Sequence, residues 1–212
     1  IKPALGFIHQ DAIRDVDFWG FGDIDVIYGD LESYFLPALE RSDLVSTHRR
    51  RISGHLTLLR NTAKMRNAFR AVPAWADAFE NPDHLAFDEK AFTRLFVKGK
   101  NFPAWFQAVV RTLRPYGRKA CFREAFSTPC ARIPWVDGTL TFPERWRWRD
   151  GVLTNDRDGK RQFPYLHFMH WKKQWPPFEE NVDAHALRRS SWQISWRGIS
   201  VDAEIETRAT SN

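Results

Sequence analysis

From Phe18 to Tyr28 the chain is mostly apolar, yet two carboxylates, Asp23 and Asp25, stand two residues apart inside the run. Its aromatic and β-branched residues predict a buried strand ending at Gly29, with Asp30 as N-cap of a helix carrying Phe35, Leu36 and Leu39. Alternating apolar positions predict further strands over 43–46 and 54–61. A helix is expected from Asn61, with Met65, Ala68 and Phe69 on one face before Pro73. Another opens at Phe87-Asp88-Glu89 and turns Phe92, Leu95 and Phe96 to one side. Strands alternating with helices predict the α/β class.

Beyond residue 100 aromatics, prolines and turns take over. Arg145-Trp146-Arg147-Trp148-Arg149 alternates strictly, Asp150-Gly151 is a hairpin turn signal, and Val152-Leu153-Thr154 supplies the returning strand. A second turn at Asp158-Gly159 precedes the segment 163–173, and Trp192 to Trp196 reads as an edge strand. No internal repeat or domain boundary stands out, so one domain is expected over 1–212, with a loose tail near 205–212.

Composition changes this picture little: 43% hydrophobic and 27% charged residues are ordinary for a globular chain. The net charge of +6 favours an anionic or phosphorylated partner. Its cations fall in short clusters, such as His48-Arg49-Arg50-Arg51 and Lys172-Lys173, without the long basic run of a nucleic-acid tail. Two cysteines, Cys121 and Cys130, make neither a disulfide scaffold nor a Cys-x-x-Cys site, so a reducing compartment is expected. No apolar run reaches the ~20 residues of a membrane span. The expected location is the cytoplasm, at the inner face of the membrane where association is peripheral. Walker A, dinucleotide-binding, nucleophile-elbow and His-Glu-x-x-His patterns are all missing from the sequence, which removes those function classes.

Residues two apart on a strand share a face, so Asp23 and Asp25 can address one cation. Burying two like charges is costly unless a cation compensates, which points to a metal site and makes Asp25→Asn neutral or stabilising for the fold.

The segments 2–6, 18–31 and 53–61 resemble a bacterial family of glycosyltransferase-like proteins of the GT-A type. That resemblance implies a GT-A-like mixed sheet flanked by helices, with a C-terminal hairpin region and an absent N-terminal nucleotide-binding strand. It also implies that Asp25 ligates Mn²⁺ or Mg²⁺ held against the diphosphate of a nucleotide-sugar, with Asp23 on metal, ribose or sugar. Residues 167–175 are similar to the His-x-x-Gly-x-x-Lys-Pro-Trp signature of glycogenin-like transferases, which implies His167 as a metal ligand, Lys173 at the diphosphate and Trp175 as the aromatic. His170 stands where that signature has glycine, and the register leaves it as the alternative ligand.

By the same resemblance Asp88 or Glu89 contacts the donor sugar or activates the acceptor hydroxyl. Their place at a helix start also suits the helix dipole. Gly54, His55 and Arg60 are candidates to line a substrate cleft, with Gly54 allowing close backbone approach, and Trp19 and Trp175 flank the expected metal. The expected activity is transfer of a sugar to a glycan, lipid-linked or protein acceptor, with no nucleic acid involved. The alternatives are a basic, aromatic-rich nucleic-acid-binding module and an inactive, carbohydrate-binding transferase remnant.

Overall fold

A computed structural model describes residues 1–83, 85–97, 102–175 and 191–201. The strands are β1 (Phe18–Gly22), β2 (Val26–Tyr28), β3 (Leu44–Ser46), β4 (Leu56–Arg60), β5 (Ala120–Phe122), β6 (Arg145–Arg149), β7 (Val152–Asn155), β8 (Tyr165–His167), β9 (Trp192–Ser195) and β10 (Gly198–Val201). The α-helices are α1 (Leu5–Ile8), α2 (Leu31–Leu39), α3 (Ala63–Arg66), α4 (Trp75–Glu80), α5 (Thr93–Phe96) and α6 (Ala104–Thr112). The chain is a mixed α/β protein whose contacts group into two compact units: Ile1–Ile24 with Phe35–Ala125, and Asp25–Tyr34 with Phe126–Asn212.

In the first unit the sheet order is β1-β4-β3-β5. Two antiparallel pairings join β1, β4 and β3, and a parallel one joins β3 to β5, so the sheet is mixed. Its core takes Trp19 and Phe21 from β1, Leu44 from β3 and Leu59 from β4, against Met65, Phe69, Phe92 and Phe96. Gly6 belongs to this packing. A Cβ there would stand 2.2 Å from the Trp19 indole, so only glycine lets α1 approach β1. The helix expected from Asn61 begins two residues later, because Thr62 caps it: its hydroxyl accepts from the Met65 N–H at 3.3 Å. Asn61 instead donates its amide to the carbonyls of Ile13 and Val16, tying α1's following loop to β4. The helix at Phe87 forms as a π-helical turn, Asp88–Phe92, running directly into α5.

In the second unit the sheet order is β10-β9-β6-β7, antiparallel throughout, and β2 pairs with β8 separately. The hairpin expected at Asp150-Gly151 is present. Both turn residues have positive φ, 50° and 79°, the geometry a two-residue turn needs and the reason for Asp-Gly there. Alternation in β6 buries Trp146 while Arg145, Arg147 and Arg149 stay exposed. Trp146 joins Leu153, Phe163, Leu166 and Ile194 in the unit's core. The expected edge strand at Trp192 is interior instead, with β6 on one side and β10 on the other, because Gly198–Val201 returns to pair with it. The expected tail near 205–212 lies outside the described residues. Among the described residues no helix is long and apolar enough to cross a membrane.

Candidate functional site

The single strand expected over 18–28 is two strands with a bend between them. β1 ends at Gly22, β2 starts at Val26, and Ile24 is fully exposed at 103%. The two carboxylates explain the break, since each turns to polar partners that a continuous apolar strand could not offer. Asp23 belongs to the first unit and Asp25 to the second.

Within the second unit Asp25 is the immediate N-terminal neighbour of β2. Antiparallel pairing of β2 with β8 sets Val26 opposite His167, and one step further the Asp25 carbonyl accepts the Phe168 N–H at 3.1 Å. That register delivers the His167 ring to Asp25: its Nε2 lies 3.3 Å from Asp25 Oδ1, and both residues are buried. The imidazole is held from behind. Its Nδ1 is 3.3 Å from the Thr128 hydroxyl, and its backbone N–H donates to the Ser127 carbonyl at 2.8 Å. The other carboxylate oxygen, Oδ2, accepts from Lys172 Nζ at 2.6 Å. Burial pushes the Asp25 carboxyl up, but the Lys172 hydrogen bond, the His167 charge, a backbone hydrogen bond and the Lys172 charge together outweigh it, so Asp25 sits below the usual carboxylate range.

The lysine here is Lys172, one residue before the position anticipated. After β8 the chain coils, with the N–H groups of Trp171 and Lys172 both donating to the Phe168 carbonyl, and the coil turns Lys172 toward Asp25. Lys173 is exposed on the same coil, and His170 is exposed too, so His167 alone of the two histidines meets the carboxylate. Trp171 is buried in the unit's core. Trp175 stacks on Phe168 with ring centroids 4.6 Å apart and donates its indole N–H to the Ser195 carbonyl, which makes it a packing residue.

The first unit gathers a second set. Asp23 accepts from Lys2 Nζ, and the same ammonium donates to the Gly54 carbonyl at 2.9 Å. A Cβ on Gly54 would stand 3.0 Å from Asp88 Oδ2 and 3.4 Å from Glu89 Oε1, so the glycine admits both carboxylates against the backbone. Asp88 is buried, and its Oδ1 caps the Glu89 N–H. Glu89 pairs with Arg51 at 2.6 Å. The His55 carbonyl accepts the Asp23 N–H at 3.4 Å. Two of the anticipated binding residues are occupied structurally. Arg60 spends its guanidinium on Asp43 and on the carbonyls of Leu39 and Ser42, and Trp19 is 6% exposed in the apolar core, out of reach of any ligand.

A family model matches residues 1–193. The chain belongs to DUF6625, a family of unknown function. No curated protein and no solved structure matches this member of the family. Its chemistry therefore rests on the geometry of the two sets. A buried carboxylate and an imidazole with converging ligand atoms suit a divalent cation of the Mn²⁺, Mg²⁺ or Zn²⁺ kind, and the ammonium at Oδ2 marks a place where positive charge is already stabilised. Sequence reasoning missed Lys172, Thr128 and Ser127. Only Lys172 left a signal, in the Lys172-Lys173 doublet four residues beyond Phe168.

Proposed function

We propose that the chain is a metal-dependent glycosyltransferase that takes a sugar from a nucleotide-sugar donor and passes it to a glycan, lipid-linked or protein acceptor. What supports the reading is the 3.3 Å approach of His167 to Asp25, between segments far apart in sequence, with a lysine on the same carboxylate. In this reading Asp25 and His167 hold Mn²⁺ or Mg²⁺, which would supply the positive charge that binds the donor diphosphate. Burial raises the Asp25 carboxyl, but Lys172 and His167 outweigh it and hold it below the usual range, so it is ionised and ready to ligate at neutral pH. Thr128 holds the His167 ring through Nδ1, which makes Nε2, on the Asp25 side, the nitrogen that would ligate. Lys172 is half-exposed on a coil, and can leave Oδ2 to meet negative charge developing on the departing diphosphate. A cytoplasmic location, peripheral to the inner face of the membrane, belongs to the same proposal.

A thermal-shift panel of UDP, GDP, CDP and dTDP, each with and without Mn²⁺, tests it, because a ligand bound to the native state raises stability by mass action. At least one nucleotide is expected to raise Tm further with Mn²⁺ than the sum of its separate effects. Purely additive shifts across the panel would refute the proposal.

A further inference from the structure

The first unit carries a groove of about 1050 Å³ formed by the turn at His48 to Arg51, the segment Glu89 to Val97, Val72, Pro73 and Arg114. A volume of this order accommodates a small organic ligand. Its lining is strongly one-signed: Arg50, Arg51, Lys90, Arg94 and Arg114 against the single carboxylate of Glu89. Glu89 is already matched by Arg51 at 2.6 Å, and Arg114 is anchored by donating to the Arg94 carbonyl at 2.6 Å. Arg50, Lys90 and Arg94 are exposed and have no ion pair among the described residues. His48, at the edge of the groove, is neutral, and of the three unpaired cations only Arg50 acts on it. Burial, then the charges of Arg51, Arg49 and Arg50, push the His48 imidazole down to about 4. Its Nδ1 accepts the Arg50 N–H at 3.1 Å, as a neutral ring requires, and this leaves an Nε2–H donor. Beside the cations lie Val72, Pro73, Leu95 and Val97, an apolar wall that a bare inorganic anion would leave unused.

We infer that this groove binds an organic polyphosphate, its phosphoryl oxygens on Arg50, Lys90 and Arg94 and its apolar part against Val72 and Leu95. Three unmatched cations converging on one concavity fit the closely spaced charges of a di- or triphosphate, and guanidinium groups suit its oxygens bidentately. None of these residues belongs to the Asp25–His167 pair, so the inference stands apart from the transferase proposal and requires no divalent cation.

The test is isothermal titration in EDTA, which silences any metal-dependent site, using tripolyphosphate, ATP and farnesyl diphosphate. Binding is expected for tripolyphosphate and tighter binding for one of the other two: a gain with ATP names a base as the apolar part, and a gain with farnesyl diphosphate names a lipid chain. Lys90→Ala with Arg94→Ala removes two exposed side chains, so far-UV circular dichroism should be unchanged while every Kd rises about tenfold or more. Glu89→Gln frees Arg51 and should tighten binding. Lys160→Ala, an exposed lysine that does not line the groove, should change Kd less than about twofold. Absence of binding by all three probes, or an equal loss in Lys160→Ala, would overturn the inference.

Discussion

Removing Asp25 or Lys172 singly and together isolates the contact on which the candidate site turns. Lys172 Nζ meets Asp25 Oδ2 at 2.6 Å, with the carboxylate side chain 9% exposed and the lysine 47%. An exposed ion pair contributes about 0.2–1 kcal/mol, and a hydrogen bond to a charged group about 1.5–3 kcal/mol. Because one partner is buried and the other half in water, a coupling of about 1–1.5 kcal/mol follows. Asp25→Asn alone is expected to cost about 1–2 kcal/mol in metal-free protein, since it also weakens the carboxylate's hold on His167. Urea denaturation of wild type, Asp25→Asn, Lys172→Met and the double variant in EDTA gives the cycle. For a chain of this size each kcal/mol corresponds to roughly 2–4 °C in Tm, which thermal melts check independently. A coupling below about 0.3 kcal/mol, the level at which distant sites simply add, would refute the claim that this ion pair organises the site.

Gly6→Ala places a methyl within 2.2 Å of the buried Trp19 indole, and overpacking of this kind should destabilise the protein by about 2–3 kcal/mol in the same urea assay, without altering metal binding. His48 supplies a pH dependence. Its folded-state value of about 4 lies below the ordinary 6.5, so between those values the unfolded chain binds the extra proton and stability falls as pH drops from 6.5 toward 4. The loss attributable to this histidine reaches at most about 3 kcal/mol, and His48→Gln should flatten that limb of the stability curve.

Much of the local structure was legible because the physics that sets it is local. Asp150-Gly151 has the two positive-φ positions its hairpin needs, Asp30 caps α2 by accepting the Ser33 N–H, and Met65, Ala68 and Phe69 are buried as their spacing requires. His167 does lie beside Asp25 as anticipated, but what brings them together is the register of β2 on β8, which no local pattern reveals. What failed depends on tertiary partners. No periodicity reveals that Arg60 is consumed by Asp43 and two carbonyls, that Trp19 fills the space Gly6 leaves, or that Gly198–Val201 converts Trp192–Ser195 from edge to interior. The lysine register slipped because the coil after β8 is set by hydrogen bonds to the Phe168 carbonyl, not by strand alternation. The folded environment also argues for the opposite sign at Asp25→Asn: two carboxylates in a sequence imply repulsion, whereas Asp25 accepts a hydrogen bond from Lys172 and lies beside His167.

The central claim is that Asp25 and His167 hold a divalent cation. Titration of Mn²⁺ followed by the electron paramagnetic resonance of the free ion, without nucleotide, tests it most directly, since it reads the metal alone and ignores any metal-independent binding of phosphates. Wild type is expected to take up one equivalent, with Asp25→Asn and His167→Ala each weakening the affinity by about tenfold or more and Lys172→Met leaving it equal or tighter. Uptake indistinguishable between wild type and both ligand variants, or no uptake at all, would contradict the account.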